Sequence, residues 1–220
     1  MQAAGFLVES SPQAAAEIGV CTIGGVRVHL IGGSTPGVLS WTIETADCTK
    51  PEEIDVNGLK LLVKSLGSGG SPASAVTHPN GATSVHKAVI LCGDTPDTIS
   101  KLPIGAPVVQ LTNHKKDGGD GNTFALWAMK GMSMFEIADL KRPDRGDGNE
   151  AGVVGEGPDT MGALFVIVDS LEEAGKAVGE EMLAKPYEYS GRMTQAIKTQ
   201  KLGISTGVML QGPPLASAKL

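Results

Sequence analysis

Residues 164–179 read LFVIVDSLEEAGKAVG, and this stretch decides the fold class. Ala163–Val168 is an apolar run of strand length that stops at polar residues, as a buried strand does. Ser170-Leu171-Glu172-Glu173 then has the spacing of a capping box: the Ser170 hydroxyl can accept from the Glu173 N–H, and a helix opens there. That helix is expected to reach about Ala184. Strand, serine cap and Ala-rich helix recur at residues 5–19, GFLVESSPQAAAEIG, where Ser at the cap and Pro12 after it make a sound helix start over Ala14–Ile18. The echo raises a duplication of two halves, although the plan is common.

Outward from these anchors, Val20–Ile31 and Val38–Ala46 read as strands, because Val26, Val28 and Leu30 alternate, as do Leu39, Trp41 and Ile43. The glycine-rich residues 32–37 between them are a turn. Thr49-Lys50-Pro51-Glu52 has capping-box spacing, and Leu59, Leu62, Val63 and Leu66 lie on one helical face. A helix is expected there, broken in two at Asn57-Gly58 and closed by Gly67. Ala88–Cys92 is a strand; Asp94-Thr95-Pro96 opens a short helix that Pro103 stops; Pro107–Thr112 is the next strand. Thr123–Asp139 carries Phe124, Leu126, Trp127, Met129, Met134, Phe135 and Ile137 and reads as a helix interrupted at Gly131. A last helix is expected near Ser190–Lys201 and a last strand at Gly203–Gln211. The expected fold is therefore α/β or α+β: a mixed sheet of about six to seven strands covered by helices. Residues 1–220 form a single domain, with a candidate linker at 67–75 and a long Gly/Asp-rich loop at 141–160.

Composition limits the function classes. A net charge of −6, with no basic cluster longer than Lys115-Lys116 or Lys141-Arg142, argues against nucleic acid as the main partner. The three cysteines, Cys21, Cys48 and Cys92, form no CxxC and suit free thiols in a reducing compartment. No secretory signal and no membrane-length apolar run is read, so a cytoplasmic location is expected, or a particle assembled there. Charged residues are only 19% and glycines number 30, which suits a surface partly hidden against copies of the same chain.

No motif forces a chemistry. DGGDGN (117–122) and DRGDGN (144–149) offer oxygen ligands but lack the alternating carboxylates and closing Glu of a Ca²⁺ loop, so they read as turns. Gly203-Ile204-Ser205-Thr206-Gly207 spells G-x-S-x-G, yet a helix precedes it, a strand follows it and no histidine lies beyond it. His29, His78, His86 and His114 show no metal-ligand spacing. No catalytic residue, cofactor or metal is assigned. The first functional expectation is a non-catalytic structural subunit of a homo-oligomeric virion component or protein shell, with copies of itself as partners. The alternative is a small-molecule- or anion-binding α/β enzyme. Its site would lie at strand C-terminal ends near Asp94, Thr95, Asn113 and His114, where ligands of α/β folds gather.

Overall fold

The computed structural model describes residues 1–9, 17–31, 38, 40–45, 50–65, 76–92, 95–102, 110–114, 122–129, 132–139, 160–189, 191–204 and 206–215. Strands dominate. β1 (Glu17–Ile23) and β2 (Val26–Ile31) make an antiparallel hairpin. β3 (Ser40–Thr45), β4 (Glu52–Val56) and β5 (Leu59–Ser65) make a three-stranded sheet with β5 in the middle, parallel to β3 and antiparallel to β4. The remaining elements are β6 (Ala82–Cys92), α1 (Thr95–Lys101), β7 (Gln110–His114), β8 (Asn122–Met129), β9 (Met132–Asp139), β10 (Thr160–Val168), α2 (Leu171–Val178), β11 (Tyr187–Tyr189), β12 (Arg192–Ile197) and β13 (Gly207–Pro214). They build one mixed eight-stranded sheet in the order β11-β12-β13-β10-β6-β9-β8-β7.

That order reads the same from either end. β6 leads into α1, then through the antiparallel strands β7, β8 and β9, and β9 returns beside β6 in parallel. β10 leads into α2, then through β11, β12 and β13, and β13 returns beside β10 in parallel. The two first strands meet antiparallel at the centre, with Lys87 opposite Phe165 and Val89 opposite Ala163. Lys87 and Ala163 stand the same distance along the chain before their helices, so each pair is the image of the other about a pseudo-twofold axis. The related halves are thus 82–139 and 160–214. The repeated plan at residues 5–19 is not the partner of α2, and residues 10–16 fall outside the description.

Helices and accessory sheets cover one face of the large sheet. Val166 and Val168 of β10, Val208 and Leu210 of β13, and Val85 of β6 pack with Ala174 and Val178 of α2 and with Phe6, Cys21 and Ile23. Farther along β6, Ala88, Ile90 and Cys92 pack with Leu102 after α1 and with Val56, Leu59, Leu61 and Val63 of the three-stranded sheet. Each Val, Leu, Ile or Phe side chain removed from water contributes about 1.5–3 kcal/mol. Burial pushes the Cys21 thiol up to about 11, so it behaves as a core apolar group.

Where the structure departs from the expected elements, it replaces helices with hairpins. The segment around 51–66 is the β4–β5 hairpin. Asn57 and Gly58, at φ 51 and 90, supply the left-handed pair that a tight type I′ turn needs. The Asn57 carboxamide donates to Thr98 Oγ1 at 3.3 Å and accepts from Lys101 Nζ, so the turn is docked on α1. Thr123–Asp139 is the β8–β9 hairpin, closed at Met129 opposite Met132. The expected helix near 190–201 is β12 followed by a 3₁₀ turn at Thr199–Leu202. Ile18, placed in the first helix, belongs to β1. The α1 and α2 starts are as expected, and the Ser170 hydroxyl accepts from the Glu173 N–H at 3.3 Å.

His78 stitches the N-terminal segment to the first hairpin. Its Nδ1 accepts from the Leu7 N–H at 3.0 Å, its Nε2 donates to the Thr22 carbonyl at 2.8 Å, and Phe6 meets its ring edge-on. Replacing it leaves the part-buried Leu7 N–H and Thr22 carbonyl unpaired and a gap beside Phe6. His78→Ala is therefore expected to cost about 2–4 kcal/mol in urea unfolding. A loss below about 0.5 kcal/mol would contradict this structural role.

Candidate active site

Strand alternation sends every second side chain of the central strands to the face opposite α2. Ala163, Phe165 and Ile167 of β10, Met209 and Gln211 of β13, and Lys87, Val89 and Leu91 of β6 share that face, as the cross-strand register requires. Polar chemistry concentrates there. β6 carries one extra residue, His86: Lys87 faces Phe165, but Val85 faces Val166. Such a bulge re-aims a side chain. Here it turns the imidazole toward β13, where Nδ1 lies 2.6 Å from Gln211 Oε1.

Gln211 is fully buried, as is Thr194 on β12. The Gln211 carboxamide nitrogen donates to Thr194 Oγ1 at 3.0 Å, and the Thr194 hydroxyl points to the Arg192 carbonyl at 3.5 Å. The Arg192 guanidinium donates to the Gly212 carbonyl at 2.7 Å and ties this end of β12 to β13. The buried carboxamide and hydroxyl of Gln211 and Thr194 are thus hydrogen-bonded, as burial demands.

Lys87 is the second feature. Only 2% of it is exposed, yet it carries an ammonium. Its Nζ lies 4.5 Å from the Phe165 ring centroid and 4.1 Å from that of Tyr189. Phe165 and Tyr189 stack at 5.4 Å, and Tyr187 meets Tyr189 edge-on at 6.3 Å. The negative faces of aromatic rings hold a cation by about 0.5–2 kcal/mol each, more when water is excluded.

Both halves contribute. His86 and Lys87 come from the first, while Phe165, Tyr187, Tyr189, Thr194 and Gln211 come from the second. The pseudo-twofold image of Lys87 is Ala163, so the charge has no counterpart in the second half. The described side chains supply an imidazole, an ammonium, a carboxamide, a hydroxyl and two phenols. Among the described residues no three His, Cys, Asp or Glu groups are gathered as a metal ion would require.

The positions expected from sequence lie elsewhere. Thr95 is the first residue of α1, and Asp94 is outside the described residues. Asn113 and His114 end β7, paired with Thr123 and Asn122. β6 and β7 run in the same direction with β9 and β8 between them, so Thr95 and His114 share one end of the sheet. Three strand spacings, about 14 Å, separate β6 from β7, which is an edge strand. The D-x-G-D-G-N loops are outside the described residues except Asn122. Gly203 and Gly207 flank the step from a 3₁₀ turn to β13, which is no nucleophile elbow. His86 was read only for metal-ligand spacing and Lys87 was not singled out, because the expected strand began at Ala88. A lysine inside the run Val85-His86-Lys87-Ala88-Val89-Ile90 was the available signal.

No family model and no curated protein matches the sequence. Solved structures do match in fold. The 2,2',3-trihydroxybiphenyl 1,2-dioxygenase of Sphingomonas wittichii strain RW1 is 12% identical, with a TM-score of 0.60 over 100% of this chain and 85% of its own. A catechol 2,3-dioxygenase is 9% identical, with a TM-score of 0.60 over 99% and 83%. BphC, a halotolerant catechol dioxygenase, is 12% identical, with a TM-score of 0.59 over 96% and 79%. The chain therefore has the vicinal-oxygen-chelate fold, the α+β architecture of glyoxalase- and dioxygenase-like proteins with two related halves. This overturns the expectation of a virion component or protein shell: the structures it resembles over its full length are enzymes.

The buried row of polar groups makes a definite stability prediction. Thr194→Val keeps the volume but leaves the Gln211 amide donor without its partner. It is expected to cost about 1–3 kcal/mol in chemical unfolding. An unchanged unfolding midpoint would mean that the row is not assembled in solution.

Proposed function

We propose that this protein is an enzyme acting on a small organic anion, with its site on the sheet face that carries His86, Lys87 and Gln211. The observation that carries this reading is Lys87, a cation kept in a nearly dry setting by Phe165 and Tyr189. Burying an ammonium is costly in a scaffold that could place an apolar residue there, as it does at Ala163. Buried charge-bearing side chains of this kind concentrate at functional sites. The fold supports the reading in a general way, because the full-length structural neighbours are enzymes named for small aromatic substrates.

In this reading Lys87 attracts the ligand's negative charge and stabilises more of it as a bond to hydrogen is broken. Tyr187 and Tyr189 offer flat walls and hydroxyls for orientation. His86 is the group that takes up the proton, through the ring nitrogen not engaged by Gln211. Apolar Val89, Ala163 and Met209 complete the floor and keep water from competing for these interactions. The site sits at the junction of the halves rather than at Thr95 or His114.

A thermal-shift panel of small carboxylates, phenols and neutral analogues of matched shape tests this directly. A specific anion at a hundred times its Kd should stabilise the native state by about 2.7 kcal/mol. Lys87→Met should weaken that ligand at least about tenfold, whereas His114→Ala should not change it. Equal shifts from neutral analogues, or a Lys87→Met variant that binds normally, would contradict the reading.

Association of a few copies is compatible with this function. Size-exclusion chromatography with light scattering should report a monomer or a small closed oligomer, and a particle of many subunits would contradict it.

A further inference from the structure

We infer that Gln211 is a positioning residue that locks His86 in the less usual of its two neutral forms, with the proton on Nδ1. The inference rests on the site proposed above and deepens it by assigning the proton-accepting atom. A carboxamide oxygen can only accept a hydrogen bond, so the 2.6 Å contact between Gln211 Oε1 and His86 Nδ1 requires Nδ1 to be the donor. The neutral ring then carries its lone pair on Nε2.

The orientation of the carboxamide is itself fixed from the other side. Gln211 Nε2 donates to Thr194 Oγ1, and the Thr194 hydroxyl has the Arg192 carbonyl as its own acceptor. Flipping the Gln211 amide would turn its oxygen toward the Thr194 hydroxyl, which already faces the Arg192 carbonyl. Each link runs in one direction: hydroxyl to carbonyl, amide to hydroxyl, imidazole to amide oxygen. Both Gln211 and Thr194 are fully buried, so water cannot supply substitutes.

His78 makes the contrast. His78 has a backbone N–H donating to Nδ1 and a carbonyl facing Nε2, so it is held with its proton on Nε2 and both nitrogens are committed to the backbone. That is a structural histidine. His86 has the opposite assignment, made by side chains, at a bulge that turns it toward Gln211. A histidine with a fixed tautomer can accept a proton at one defined atom without first rearranging.

Nitrogen-15 NMR of the ring nitrogens, on ligand-free protein well above the imidazole titration range, reads this without any substrate. For wild type, His86 should show a protonated Nδ1 and a pyridine-like Nε2, while His78 shows the reverse. Gln211→Leu should return His86 toward the Nε2–H form that unconstrained histidine prefers, and Gln211→Glu, which retains an acceptor oxygen, should keep the Nδ1–H form. Should Gln211→Leu fail to fold, the wild-type spectrum together with Gln211→Glu still decides. A wild-type His86 found mainly as Nε2–H, or a tautomer unchanged in folded Gln211→Leu, would overturn the inference. A locked tautomer in a protein that binds no anion would leave this inference standing and remove the proposed function instead.

Discussion

The antiparallel pairing of β6 with β10 is the constraint on which the rest of the structure depends. It joins two βαβββ halves into one continuous sheet. It also sets the register that places Lys87 against Phe165. Because the side-chain period of a strand is two, a slip of one residue would send Lys87 into the apolar layer beneath α2 and expose Val85 and Ala88. The bulge at His86 relieves the strand locally and lets two adjacent polar side chains serve the same face. Core packing on one side of the sheet and polar chemistry on the other are therefore consequences of a single register.

The asymmetry between the halves is what gives the face a direction. A pseudo-twofold arrangement alone would repeat each group on either side of its axis. Here the lysine of one half is matched by Ala163, and Phe165 by Val89. The cation thus stands next to the aromatic side chains of β10 and β11 without a matching charge at Ala163. The carboxamide and hydroxyl that orient His86 come from β13 and β12, so neither half holds the constellation alone. A small organic ligand lying across the junction would touch both.

Part of this was legible in the sequence. The β10–α2 unit was plain, because the apolar run, the Ser170 cap and the following helix obey different local rules that agree. The mixed sheet with helices followed from such units. The hairpins were harder, since LKLLVKSL at 59–66 satisfies both the helical spacing of Leu59, Leu62 and Val63 and the strand spacing of Leu59, Leu61 and Val63. Asn57-Gly58 was recognised as a break but not as the type I′ turn that settles the question. The Phe124–Ile137 stretch is apolar on all sides and has no decisive period. The site was less legible still, because Lys87, Thr194 and Gln211 are distant in sequence and belong to no spacing motif; only the fold brings them together. Low charge and high glycine suggested self-packing, but a glycine-rich chain with many tight turns between short strands has the same composition.

The central claim is that the chemistry lies on the sheet face at the junction of the halves. A crystal structure of the protein with the best-stabilising anion bound tests it most directly. The anionic group should lie beside Lys87, with the body of the ligand against Tyr187 and Tyr189 and an atom within hydrogen-bonding reach of His86 Nε2. A ligand seated instead at the strand ends near Thr95 and His114, with Lys87 untouched, would contradict it.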